Sequence, residues 1–112
     1  MKPVYMSYTQ ICRALENIPT KEHLNVALCY MPSKQIRGQT LWNLNDAAEA
    51  LTIYYRKQAQ KNWAKQRFAK NQSSVIFSLR AREWLRKAQL VEAIIERWRT
   101  EEIYDENCKA LV

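Results

Sequence analysis

VIFSLRAREWLRKAQLVEAIIERW, residues 75 to 98, decides the fold. Phe77, Ala81, Trp84, Ala88, Val91, Ile95 and Trp98 alternate steps of four and three. A repeat of about 3.5 residues marks a helix that packs lengthwise against another helix. Leu85 and Ile94 widen the stripe, as a bundle helix requires. The pattern predicts a helix that starts at NQSS (71 to 74), with Ser73 or Ser74 as its cap, and frays near Thr100. IYDENCKALV (103 to 112) then reads as a tail that docks or hangs free.

Working back from NQSS, Ala48, Leu51, Tyr55 and Ala59 form one apolar stripe, which fades at Asn62 and Gln66. Asn43 or Asn45 can cap this helix, and Asp46 and Glu49 suit the positive end of its dipole. Two helices of about 25 residues, each ~38 Å long, exceed the reach of a compact domain whose radius of gyration is about 13 Å. An antiparallel hairpin must therefore project beyond the rest of the chain, or be covered by a second copy in a homodimer.

The N-terminal part is less regular. Ser7 and Gln10 form a capping-box pattern, Tyr8, Ile11, Cys12, Leu15 and Ile18 follow at helical spacing, and Pro19 closes the segment. Thr20 can cap a second helix that runs toward Met31, with Leu24, Ala27, Leu28 and Met31 on one face and Pro32 beyond its end. VALCYM (26 to 31) also reads as a buried strand paired with QTLWN (39 to 43) across Gly38. The expectation is an all-α fold: two short N-terminal helices packed on a long antiparallel helical hairpin, one domain over 1–112. A short β-hairpin around residues 26–43 is the alternative.

Composition narrows the class. With 112 residues, 47% hydrophobic, one Gly and three Pro, the chain has a core but too few turn-formers for a sandwich or barrel. Cys12, Cys29 and Cys108 are widely spaced, and His23 is the lone histidine. That excludes a zinc-finger pattern and favours free thiols in a reducing compartment. MKPVYMSYTQIC lacks the apolar run of a signal peptide, and no stretch approaches the ~20 apolar residues of a membrane span. The expectation is a cytoplasmic protein without a membrane partner.

Enzyme chemistry has little to stand on. Gly38 alone cannot make a phosphate-cradling loop. His23, in KEHLN, has no nucleophile motif beside it; a pairing with Cys12 or Cys29 is formally open, but a surface or half-buried histidine is the simpler reading. Glu92, Glu96, Glu101, Glu102, Asp105 and Glu106 read as a solvated helix end. No catalytic residue, cofactor or metal is expected.

Charge is the informative signal. The net charge is +7. Residues 1–55 carry +1, residues 56–87 carry +9 and residues 88–112 carry −3. In a hairpin, both arms of the basic segment meet at one tip. RKQAQKNWAKQRFAK (56 to 70) puts Lys57, Lys61 and Lys65 on one ridge, with Arg56, Arg67 and Lys70 around Trp63; Arg80, Arg86 and Lys87 add the facing arm. Cations interleaved with an indole suit phosphates and an unpaired base. The bland readings are a solvated lysine face and a packed Trp63. LNDAAEALTIYYRKQ (44 to 58) has a helix-turn-helix flavour but lacks a Gly near Thr52. The expected function is a small basic, non-enzymatic nucleic-acid-binding accessory protein, acting on DNA or RNA through phosphates with low sequence specificity. The alternative is an adaptor or inhibitor that docks on an acidic protein through the aromatic face Phe77–Trp98, with Trp42 and Trp63.

Overall fold

The computed structural model describes residues 4–70 and 72–110, with side chains over 4–70 and 73–101. The order is β1 (Tyr5–Met6), α1 (Tyr8–Ala14), α2 (Lys21–Leu28), β2 (Lys34–Ile36), β3 (Gln39–Asn43), α3 (Leu44–Phe68) and α4 (Gln72–Ala110). The chain is mostly helical, as its periodicity predicts, with a small sheet added.

Three caps form where the sequence places them. The Ser7 hydroxyl accepts from the Gln10 N–H while the Gln10 side chain accepts from the Ser7 N–H. Thr20 caps α2 through the His23 N–H, and Asn43 caps α3 through the Asp46 N–H. Each satisfies a donor that a first helical turn leaves free. The fourth helix differs: α4 already includes Gln72, so Ser73 and Ser74 lie in its first turn. It also continues past Thr100 to Ala110.

α1 ends earlier than Pro19 suggests. Leu15 closes it, and Glu16 and Asn17 follow with φ of 55° and 57°. The Glu16 N–H donates to the Arg13 carbonyl and the Asn17 N–H to the Cys12 carbonyl. This is the Schellman arrangement, with Glu in the left-handed position that usually goes to Gly. The chain reverses there, so Leu15 and Pro19 are buried instead of extending the helix.

The β-hairpin alternative is half right. QTLWN is a strand, but its partner is Lys34–Ile36, and residues 26–28 are the last turn of α2. Leu24, Ala27 and Leu28 explain this, because all three face the core only at helical spacing. β3 is the central strand of the order β1-β3-β2, antiparallel on both sides. Tyr5 pairs with Asn43 and Met6 with Trp42; on the other edge Gln35 pairs with Thr40. The sheet departs from the all-α expectation.

The hairpin dominates the shape. The molecule measures 62 × 38 × 19 Å with a radius of gyration of 17.3 Å, well above the value of about 13 Å for a compact chain of similar length. Ala47, Ala48, Leu51, Tyr55 and Ala59 of α3 are buried against Ala81, Ala88, Val91 and Ile95 of α4. α1 and α2 close the same core with Ile11, Leu15, Leu24 and Leu28. The seam that invited a second copy is thus covered by the chain's own α3, with Trp84 and Trp98 packed at its margin.

Candidate nucleic-acid interface

Toward the hairpin turn the core thins. Beyond Ala59, the buried residues of the two arms, among those described, are Asn62 and Ala81. Asn62 sits where the apolar stripe fades; its side-chain amide donates to the Gln58 carbonyl at 2.8 Å, so burial leaves no unmet donor there. α3 stops at Phe68, Ala69 is extended, and α4 returns from Gln72. The two basic runs therefore face one another across this end, as the sequence implies.

Most of the predicted cations reach solvent. Lys57, Lys61, Lys65, Arg67, Lys70, Arg80 and Arg86 are exposed, and Glu83 is the sole acid among residues 56–87. None of these seven has a carboxylate within salt-bridge distance among the described residues. The Lys65 ammonium stands 5.9 Å from the Phe77 ring centre, a contact from one arm to the other.

Three predicted residues sit differently. Arg56 points to Glu92 on α4, 2.7 Å from Nε and 2.5 Å from Nη2. Lys87 is half-buried, 5.1 Å from the centre of the Trp84 ring. Trp63 is half-buried and presents only part of its indole.

Two features escape a reading by pattern. Phe68 is 88% exposed, and Val75, Ile76 and Leu79 are also exposed. Their signal was in the sequence: on a helix, Val75 and Leu79 fall on the side opposite the Phe77–Ala81–Trp84 seam. The second feature is an aromatic nest at the base of the tip. His23 of α2 packs on Tyr54, Tyr55 and Trp84, with ring centres 4.9 to 5.8 Å away. Its Nδ1 lies 3.4 Å from the Tyr55 hydroxyl. Burial lowers the His23 pKa, and the Lys87 charge lowers it further, against a smaller opposing effect of Glu22. Burial likewise pushes the Tyr55 phenol up to about 12, so it stays a neutral donor.

The opposite face of the hairpin holds a groove of about 400 Å³, floored by Thr52 and Ile95. Arg56–Glu92 and Arg99–Glu49 pairs line it. Four of its five charged side chains are paired with one another, and the fifth, Glu96, makes the groove net acidic. Among the described residues no group of three His, Cys, Asp or Glu side chains converges as a metal site requires. No described helix is long and apolar enough to cross a membrane.

These features define a small helical protein with one strongly cationic end. Comparison with protein-family models, curated proteins and solved structures finds no match.

Proposed function

We propose that the protein is a small non-enzymatic nucleic-acid-binding accessory protein whose hairpin tip grips phosphates without reading sequence. One observation carries this reading. Among the described residues the ion pairs Arg56–Glu92, Arg97–Glu16 and Arg99–Glu49 engage one cation of residues 56–87, Arg56, while eight other exposed cations of that segment, Arg82 included, have no carboxylate partner. Like charges held together raise the energy of the free protein, and a polyanion that displaces its condensed counterions relieves them. Arg56 and Lys87 contribute less, since each is already engaged.

A second reading rests on Phe68, Val75, Ile76 and Leu79. Apolar side chains among cations also fit an acidic partner protein, through burial at the centre and steering at the rim. Fluorescence anisotropy of labelled single- and double-stranded oligonucleotides against salt separates the two. The tip reading predicts binding at ~50 mM salt with a log–log slope of several units, and a slope about two units smaller in the Lys61→Glu/Lys65→Glu variant. Absence of binding at low salt sinks the tip reading and turns attention to the apolar patch.

A further inference from the structure

Over residues 56–68, α3 has an outward face on which every charged residue is basic. Tyr55, Ala59 and Asn62 are its buried side. Lys57, Lys61 and Phe68 lie opposite them, within about 40° of one another at 3.6 residues per turn, and all three are exposed. Arg56, Gln60, Ala64, Lys65 and Arg67 flank them and are exposed too. α3 has no acidic residue after Glu49, and Glu83, the one acid of residues 56–87, is on α4, which packs against the buried side. Glu92 of α4 reaches only the flanking Arg56.

Helix physics explains part of this face. The negative end of the helix dipole favours Lys65 and Arg67 in the last turn. That effect fades within a turn, so it does not account for Lys57 and Lys61. Packing does not account for Phe68, which is 88% exposed and makes no ring contact among the described residues. Its neighbour one turn back is Ala64, too small to cover the ring. The helix ends at Phe68, and Ala69 is already extended, so no later turn covers it either. The ring stands bare with cations on both sides. Phosphates satisfy the lysines but give a phenyl ring nothing to cover it. A nucleobase does cover it, because stacking on an aromatic ring is open to every base. A duplex brings phosphates to the same face but keeps its base faces inside the stack. A strand with unpaired bases presents both groups at once.

We propose that this face of α3 is a single-strand site: the backbone of an unpaired DNA or RNA strand runs along Lys57, Lys61 and Lys65, and one base stacks on Phe68. From Lys57 to Phe68 the helix rises about 16 Å, the length of about five nucleotides at about 3.4 Å each. Trp63, the indole that the sequence singles out, is half-buried at the margin of the face, whereas Phe68 offers a whole ring. The inference rests on the tip binding nucleic acid, and it adds the strand state of the ligand and the residue that selects it.

The test is anisotropy of the whole protein with labelled DNA and RNA single strands of about ten nucleotides, twice the length of the track. A duplex of equal length and a strand whose sugars lack bases are the comparisons. The intact single strand should bind more tightly than the duplex, and more tightly than the abasic strand by on the order of tenfold, the effect of one stacked base. Phe68→Ala and Phe68→Leu should lose that tenfold on the intact strand and change little on the abasic one; Phe68→Trp should restore it. The salt slope should stay the same in the Phe68 variants, which remove no charge, and fall in Lys61→Glu. Melting temperatures should hold, since Phe68 is exposed. Full affinity in Phe68→Leu overturns stacking. A duplex or abasic strand bound as tightly as the intact single strand overturns the inference and leaves the phosphate-binding tip standing. No binding of any oligonucleotide at ~50 mM salt overturns both.

Discussion

The two ends of the helical hairpin are built on opposite terms. At the base, α1, α2 and the sheet close a core around Leu24, Leu51 and Val91, and Arg97–Glu16 and Arg99–Glu49 tie helices together at its rim. Toward the tip, Ala81 and Asn62 are the last buried residues among those described, Phe68 and Val75 lie in solvent, and no described carboxylate pairs with Lys61, Lys65, Arg67, Lys70 or Arg80. One end is stabilised by burial, and the other carries uncompensated charge and exposed apolar surface. A small chain has few residues that can serve both purposes, and this one separates them along a rod.

The separation has measurable consequences. Leu51→Ala, at a fully buried position, should cost about 2–5 kcal/mol in denaturant unfolding, whereas Leu79→Ala, 53% exposed, should cost under ~0.5 kcal/mol. Equal losses would mean that the tip is as closely packed as the base. At the junction of the two ends, His23 couples stability to pH. Its folded pKa is lowered, first by burial and then by Lys87. Its contribution is therefore complete above the unfolded-chain pKa of about 6.5 and is lost as pH falls from there through the depressed folded value. Melting temperatures from pH 7.5 to 5 should fall, and His23→Gln should flatten that fall; an unchanged slope would remove His23 as its source.

Smaller effects test backbone and surface. Glu16→Gly removes left-handed strain of about 1 kcal/mol and forfeits the exposed pair with Arg97, worth less than that. A net gain of about 0.5 kcal/mol is expected, read by thermal melting. A loss would show that the pair with Arg97 outweighs the strain. At the tip, Lys61→Glu replaces repulsion with Lys57 and Lys65 by attraction, a few tenths of a kcal/mol per pair. Stability should rise slightly while nucleic-acid affinity falls. If both fall together, the lysine ridge is part of the fold rather than a surface held for a ligand.

Much of this architecture is a local property of the chain. The Ser7, Thr20 and Asn43 caps follow from a polar side chain placed one step before an apolar period, and the α3–α4 pair follows from a stripe that repeats over many turns. The concentration of charge in residues 56–87 likewise belongs to the sequence. What lies between distant segments is decided elsewhere. β1 has two residues, too few to show a period, and exists because β3 offers it an edge some 37 positions later. Arg56 and Lys57 are adjacent and equally charged; only the packing of α3 on α4 brings Glu92 to Arg56 and leaves Lys57 in water. Arg37 reads as one more loop cation until the register Ile36–Gln39 confines it to a turn with positive φ. Periodicity, capping and net charge are set by neighbours within a turn or two of helix, so the sequence alone determined them. Strand partners, ion pairs and the choice of which cations stay free depend on contacts between residues far apart in the chain, and only the tertiary structure decided those.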